Sequence, residues 1–176
     1  MGATKIPLLT IFRVLKLEPN IPEYNIIFNI RLPRMILCLL VGANLSLSGA
    51  ILQGVMNNPL ADPSIIGVSS GAGLFGIGMI ILFPSYTHIV PIGAFCGAML
   101  ASFLIYILSY NGGIEPKRII LAGVAVSSLF GAGISSLMVF FSERVPGALS
   151  FMNGSFSKVS WPEVKMILPY LSLIHI

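Results

Sequence analysis

A run of 22 uncharged residues, Met35–Met56, restricts the fold of this 176-residue chain more than any other feature. A helix needs about 20 predominantly apolar residues to cross the hydrocarbon core of a bilayer. Charged residues make up only 9% of the chain, whereas ordinary soluble domains contain roughly 25%. Because so few charged side chains cannot cover the surface of a soluble domain, the sequence predicts a membrane protein.

Three further uncharged runs follow, and we interpret all four runs as membrane-spanning helices. The second, third and fourth extend over about Ser64–Phe83, Ile89–Tyr110 and Ile119–Phe141. Gly and Pro residues punctuate the connections between them, as turns require. A fifth apolar stretch begins near Glu163 and reaches the last residue before it is long enough to cross. The sequence therefore predicts an all-α, polytopic membrane helix bundle, a single-domain fragment with four complete spans and a truncated fifth.

The N-terminal segment, residues 1–30, differs from the predicted spans because charged and proline residues interrupt it. A short amphipathic helix around Leu8–Leu17 would lie on the membrane surface instead of crossing the bilayer. We therefore expect this segment to lie at the membrane interface.

Small residues recur every fourth position in three of the predicted spans. Residues four apart lie on one helical face, and small side chains let helices approach closely in lipid. The stripes are Gly42, Ser46, Ala50 and Gly54 in the first span, Gly93 and Gly97 in the third, and Gly123, Ser127, Gly131 and Ser135 in the fourth. We interpret the first two stripes as packing faces, with Leu52 facing lipid or a looser contact. For the serine-rich stripe of the fourth span, packing and the lining of a pathway stay equally open.

Arg31 and Arg34 flank Leu-Pro just before the first span. They share one face if a helix begins there, and Pro33 suits a first helical turn because its missing N–H has no partner to lose. Two interpretations are open from composition. The arginines snorkel at the membrane boundary, or they form a docking site for carboxylates of a partner, which Arg binds in bidentate pairs.

The connection Asn57–Pro63 has the composition of a tight reversal between the first two spans. Asp62 is expected to cap the second helix, because an aspartate side chain accepts hydrogen bonds from the first free N–H groups of a helix. Pro63 is expected at the first helical position, where a proline is tolerated.

No set of catalytic residues is recognisable in the sequence. The carboxylates lie in loops or at span edges, the two histidines are isolated, and there is no Walker-type GxxxxGK[ST] loop. Cys38 and Cys96 lie in apolar runs without metal-binding spacing, and we expect both to be buried as small apolar side chains. The sequence thus predicts neither an enzyme nor a bound cofactor or metal.

Four long motifs follow one another along the chain: RLPR from Arg31, GANLSLSGAILQ from Gly42, NNPLADPSIIGVSSGAG from Asn57 and RIILAGVAVSSLF from Arg118. Together they resemble the iron-siderophore, haem and vitamin B12 permeases of type II ABC importers, the FecCD family, over about Arg31–Trp161. The resemblance implies a multi-pass subunit of the bacterial inner membrane with about ten spans and a second permease subunit as partner. It also implies cytoplasmic ATPase subunits that supply energy and an extracytoplasmic binding protein that delivers the chelate.

The resemblance also assigns roles to residues of this chain. In the family, the arginines of RLPR belong to the docking site for the binding protein, which implies this role for Arg31 and Arg34. The helix that corresponds to the fourth span lines the translocation pathway at the dimer interface. This implies pathway contacts for its small-residue face, formed by Gly123, Ser127, Gly131 and Ser135.

Membrane orientation is predicted differently by charge and by resemblance. Residues 1–34 contain more Lys and Arg than any other connection, and this bias alone would place them in the cytoplasm. The resemblance implies the reverse, with the N-terminal segment 1–30, Arg31 and Arg34 extracytoplasmic and Lys117 and Arg118 in the cytoplasm. We follow the resemblance, because docking gives the two arginines another reason to be there.

The chain departs from the family pattern before the fourth span. Relatives place Ser and Thr at the cytoplasmic gate, whereas this chain has Glu115, Pro116 and Lys117, so we assign no gate residue. A channel or a secondary transporter without an ATPase partner is the alternative function, since neither needs charged residues within the spans. The sequence does not name the chelate or distinguish a homodimer from a heterodimer.

Overall fold

The computed structural model describes residue 7 and residues 23–59, 61–62, 66–113, 115–156 and 159–174, with the backbone alone for residues 170–174. In these ranges every regular element is helical. The α-helices are α1 Leu32–Met56, α2 Val68–Leu82, α3 Val90–Ser109, α4 Pro116–Phe140, α5 Val145–Asn153 and α6 Trp161–Ile174. A π-helix, Asn25–Arg31, leads into α1, and 3₁₀ turns precede α3 at Pro84–Ile89 and α5 at Ser142–Arg144. The predicted all-α class is confirmed.

Among the described residues, three helical stretches are long and apolar enough to cross a membrane, namely Asn25–Met56, Pro84–Ser109 and Pro116–Phe140. They correspond to the first, third and fourth predicted spans. The second predicted span corresponds to α2, whose 15 residues are shorter than predicted. At 1.5 Å per residue α2 extends over about 22 Å, less than the roughly 30 Å of the hydrocarbon core.

The described chain divides into two compact units: residues 1–47 with 156–176, and residues 48–155. In the first unit, Leu37 and Leu40 of α1 form a buried cluster with Val164 of α6. The start of α6 has a Ser-x-x-Glu pattern, typical of a helix N-terminus. There the Glu163 carboxylate accepts hydrogen bonds from the backbone N–H and the hydroxyl of Ser160, at 2.9 and 2.7 Å.

In the second unit, α2, α3 and α4 pack on one another. Its largest buried cluster consists of Met56, Ile66, Ala101, Ile105, Ala122, Val126 and Phe130. The closest approach joins α2 to α3 at Gly71 and Gly97. A Cβ added to Gly71 would overlap the Gly97 carbonyl oxygen and lie 2.6 Å from the Cβ of Ala101. Only glycine lets the two backbones come so near.

The end of α1 explains the asparagine pair of the first connection. Asn57 has φ of 47°, in the left-handed region that Asn tolerates better than most residues. Its N–H donates to the Gly54 carbonyl at 3.3 Å, and the Asn58 N–H donates to the Gln53 carbonyl at 3.2 Å. These two bonds form a Schellman motif, which pairs carbonyls left free at a helix end. The chain therefore leaves α1 through a tight turn.

The connection after α4 contains a helix, α5, that the sequence analysis did not predict. Pro146 lies in its first turn, where a missing N–H leaves no bond unmade. Ala148 is fully buried in a cluster with Ile81 of α2. Nη1 of Arg144 donates to the Ile81 carbonyl, one of the carbonyls without a helical partner at the end of α2. These contacts hold α5 against α2.

The start of the first span also differs from the prediction. The helix does not begin at the RLPR motif, because the π-helix runs directly into α1. Residues 25–30, expected to be interfacial, are therefore helical and continuous with the first span. The predicted amphipathic helix Leu8–Leu17 lies outside the described residues.

Three side-chain expectations were wrong. Asp62 does not cap α2, because α2 begins at Val68 with Gly67 as its N-cap, and Pro63 lies outside the described residues. Leu52 packs against the main buried cluster of the second unit instead of facing a loose contact. Cys38 and Cys96 are exposed. In a membrane chain an apolar run does not imply burial, since lipid accepts apolar side chains as readily as a core does.

Candidate functional site

The two arginines of the RLPR motif lie where the π-helix meets α1. Arg31 is the last residue of the π-helix, and Arg34 lies in the first turn of α1. Both side chains are half-buried, with the Nε atom of Arg34 buried. Pro33 between them is fully buried and anchors this turn. The first unit therefore presents both guanidinium groups from one anchored segment.

A tryptophan far along the chain contacts this segment. Leu32 N–H donates to the Ile27 carbonyl five residues back, which is the π-helical pattern. The next donor in that pattern would be Pro33, paired with the Phe28 carbonyl, but proline has no N–H. The Nε1–H of Trp161 donates to the Phe28 carbonyl at 3.1 Å.

Aromatic rings reinforce the same contact. The Phe28 ring lies 5.2 Å from the Trp161 ring and 5.1 Å from the Tyr24 ring, measured between centroids. Our sequence analysis did not single out Trp161, because its partner lies 133 residues away. The one signal in the sequence was Pro33. A proline indicates that a backbone N–H donor is missing, but it does not indicate which residue replaces that donor.

The structure divides the predicted small-residue face of α4 into two halves. Gly123 is buried against the turn Ile66–Gly67, and its added Cβ would lie 2.5 Å from a carbonyl oxygen of that turn. Ser127 is half-buried beside the same turn. Further along, a Cβ added to Gly131 meets no described atom within 4 Å, and Ser135 is exposed. Other residues of this chain therefore pack against the first half of the face, Gly123 and Ser127. The second half, Gly131 and Ser135, is open.

Small side chains continue beside the open half. The middle turns of α4 expose Ala125, Ser128, Ala132, Ser135 and Ser136. Ser128 Oγ donates to the Val124 carbonyl at 2.8 Å, and Ser136 Oγ donates to the Ala132 carbonyl at 2.8 Å. Bulky exposed side chains lie before and after these turns, at Leu121, Val139 and Phe140, and Leu129 is exposed among them. The outward surface of α4 therefore carries small and hydroxyl-bearing side chains around one exposed leucine at its middle.

The stripe of the third predicted span lies in a contact within the chain. Gly97 of α3 is buried, and a Cβ added there would lie 2.7 Å from the Cβ of Phe75 in α2. A Cβ added to Gly93 would lie 2.8 Å from Cγ of Met79, also in α2. Both glycines therefore lie where α2 and α3 pack.

The stripe of α1 has a different environment. A Cβ added to Gly42 or Gly54 meets nothing within 4 Å among the described residues. Ser46 and Ala50 are exposed, and the Ser46 hydroxyl donates to the Gly42 carbonyl at 2.8 Å. The described residues thus leave this stripe open.

The loop before α4, where the sequence departs from the family pattern, contains an ion pair. Glu115 precedes the first helical residue and binds Arg118, with 2.9 Å between Oε2 and Nε. A negative charge at a helix N-terminus is favourable because of the helix dipole. Within the described ranges, no group of three or more His, Cys, Asp and Glu side chains is arranged to hold a metal ion.

Comparison with known proteins identifies the family. The FecCD transport family matches this chain over residues 1–176. This chain belongs to the FecCD transport family. It is 40% identical to the Fe(3+)-citrate import system permease protein YfmE of Bacillus subtilis, over 85% of this chain and 45% of that protein. It is 41% identical to the cobalamin import system permease protein BtuC of Halobacterium salinarum, over 96% of this chain and 46% of that protein.

Two further similarities agree with this assignment. The FecCD chain is 36% identical to the hemin transport system permease protein HmuU of Yersinia pestis, over 96% of this chain and 53% of that protein. A solved metal-chelate type ABC transporter in an inward-facing conformation aligns with a TM-score of 0.77 at 28% identity. That alignment covers 94% of this chain and 58% of the solved chain.

The FecCD chain spans about half the length of the curated relatives it matches. Its family and its three membrane-length helices make it a multi-pass protein of the bacterial cell membrane. The family, the helical fold class and the membrane location that the sequence predicted are thereby confirmed.

Proposed function

We propose that this chain is part of the membrane-spanning permease subunit of an ABC importer for a metal chelate. The observation that carries the proposal is the similarity to a solved metal-chelate type ABC transporter over 94% of the chain. Relatives named for ferric citrate, cobalamin and hemin import support a chelate of the iron-siderophore, haem or cobalamin type. The importer contains a second permease subunit, cytoplasmic ATPase subunits that hydrolyse ATP, and an extracytoplasmic binding protein.

Chelate uptake by the full-length permease tests this proposal. Liposomes that contain the permease and its ATPase subunits, supplied with chelate-loaded binding protein, should accumulate chelate only when ATP is provided on the ATPase side. An ATPase variant that cannot hydrolyse ATP is the control and should abolish uptake. Uptake driven by an ion gradient, or by the chelate gradient alone, would instead support a secondary transporter or a channel.

Docking of the binding protein is the role we propose for Arg31 and Arg34. The two guanidinium groups leave one anchored turn, and Arg pairs well with carboxylates in a fixed, bidentate geometry. Arg31→Glu combined with Arg34→Glu in the full-length permease should weaken association with the binding protein by about tenfold or more at low salt. Surface-binding titration gives the dissociation constant.

Salt dependence and a matched charge reversal complete this test. Charge interactions are screened over about 10 Å at 0.1 M ionic strength. Added salt should therefore reduce the difference in dissociation constant between the wild type and the double variant. Lys117→Glu reverses an exposed charge in the first turn of α4, which the resemblance places in the cytoplasm, and it should leave the dissociation constant unchanged. Equal affinity of the wild type and the arginine double variant at low salt would contradict docking.

The open half of the α4 face is the part that we propose to border the translocation pathway. Its small side chains leave room for a bulky solute, and its hydroxyls provide polar contacts. In a full-length permease freed of other cysteines, Ser128→Cys, Gly131→Cys and Ser135→Cys should react with a water-soluble thiol reagent. Phe130→Cys is the buried control, at 7% exposure in the wild type, and should not react. Labelling of none of the three positions in any transport state would place the pathway elsewhere.

A further inference from the structure

We propose that Trp161 is a positioning residue for the arginine pair, because its indole N–H replaces the backbone donor that Pro33 lacks. The proposal rests on the docking function proposed above for Arg31 and Arg34. It adds a residue from the other end of the chain, in the same compact unit, and a specific task for the π-helix.

The hydrogen bonds around the Phe28 carbonyl define this task. Two backbone groups are in sequence positions to donate to it, Leu32 in an α-helical register and Pro33 in a π-helical register. The Leu32 N–H donates to the Ile27 carbonyl, and Pro33 has no N–H. The Trp161 indole N–H donates to this carbonyl at 3.1 Å in a part-buried contact, at the position that Pro33 leaves vacant in the π register. Such pairing matters because a carbonyl shielded from water is costly without a donor.

The indole bond therefore favours one of two helical registers. With it, the Phe28 carbonyl is paired in the π register. Without it, Pro33 leaves one carbonyl without a backbone donor in either register, that of Phe28 in the π register and that of Asn29 in the α register, so the π register loses its advantage. A shift to the α register alters the angle about the helix axis between Arg31, before the turn, and Arg34, after it. Because bidentate pairing is sensitive to geometry, the spacing of the two guanidinium groups then no longer matches the same carboxylates.

Packing of the indole ring must be separated from its hydrogen bond. Trp161→Phe keeps an aromatic ring against Phe28 but removes the N–H together with part of the ring system. Pro33→Ala returns a backbone N–H that can reach the same carbonyl in the π register. The two substitutions form a double-mutant cycle, which measures their coupling. If the indole replaces the missing backbone donor, its loss should matter in the Pro33 background and hardly at all in the Ala background.

The experiment measures binding-protein affinity of the full-length permease at low salt. Trp161→Phe should weaken binding by about threefold to tenfold, the effect of one net hydrogen bond. In the Pro33→Ala background the same substitution should change affinity by less than about twofold. Hydrogen–deuterium exchange of the peptide over residues 24–34 should rise in Trp161→Phe and return toward the wild-type rate in the double variant. Thermal unfolding in detergent identifies any variant that has not folded. For the folded variants, hydrogen–deuterium exchange over residues 24–34 shows whether the indole hydrogen bond stabilises this segment.

Each outcome separates this inference from the docking proposal. Equal losses in both backgrounds would mean that the indole acts by packing alone, which overturns the inference. Unchanged affinity and exchange in Trp161→Phe, while reversal of Arg31 and Arg34 still weakens binding, also overturns it and leaves docking intact. If the arginine reversal itself has no effect, the docking function fails and the positioning role fails with it.

Discussion

Gly71→Ala and Gly97→Ala should each lower the free energy of unfolding of the full-length permease by about 2 kcal/mol. A methyl group on Gly71 would overlap the Gly97 carbonyl, and one on Gly97 would lie 2.7 Å from the Phe75 Cβ. Neither obstacle is the end of a flexible side chain. The helices α2 and α3 would have to separate, and their close backbone contact is what holds helices together in lipid. Thermal unfolding of the purified permease in detergent measures the loss.

Gly78→Ala is the matched control in α2. A Cβ at this position lies 3.8 Å from Cδ1 of Leu137, an ordinary contact. Since Ala is better than Gly in a helix interior by about 1 kcal/mol, this variant should be as stable as the wild type or more so. If Gly71→Ala and Gly78→Ala unfold at the same temperature, close α2–α3 packing is not what stabilises the second unit.

Gly67→Ala should be comparably damaging, because two costs coincide at the turn before α2. Gly67 has φ of 91°, a conformation that costs a residue with a Cβ about 1–2 kcal/mol. The added Cβ would also lie 2.5 Å from Ser127 Oγ and 2.7 Å from the Gly123 carbonyl oxygen. Strain and overlap together should lower the free energy of unfolding by about 3 kcal/mol, measured as above.

Gly112→Ala separates the two costs. Gly112 has φ of 72°, but a Cβ there meets nothing within 4 Å in the described ranges. This variant should lose only the strain contribution and remain clearly more stable than Gly67→Ala. Equal losses in the two variants would mean that the contact between the α2 turn and α4 contributes nothing to stability.

Hydropathy predicted the membrane helices well because crossing a bilayer imposes a length and an absence of charge that any span must meet. The ends of the helices were less predictable. Asp62 and Pro63 have the composition of a helix start, yet α2 begins at Val68, where Gly67 provides a left-handed turn against α4. Here the tertiary contact between the turn and α4, and not the local sequence pattern, determines where the helix begins. The helix α5 was not predicted because it is only nine residues long and because its buried side is defined by contacts with α2.

Side-chain environments were the hardest to predict from spacing. The stripe on α4 was identified correctly as a row of small residues. Its spacing does not show that a turn nearly sixty positions earlier in the chain packs against Gly123 and Ser127. In the same way, Trp161 could be linked to Phe28 only through the fold. Periodicity identifies which residues share a helical face, whereas their neighbours depend on which helices meet.

Two hydroxyl groups of α4 have a defined hydrogen-bonding role at the proposed pathway. Ser128 and Ser136 each have one O–H proton, and each gives it to a carbonyl of its own helix. Only oxygen lone pairs are then left for a passing solute. In this conformation the two hydroxyls can therefore accept hydrogen bonds from N–H or O–H groups of a solute, but they have no proton to donate to its carboxylates.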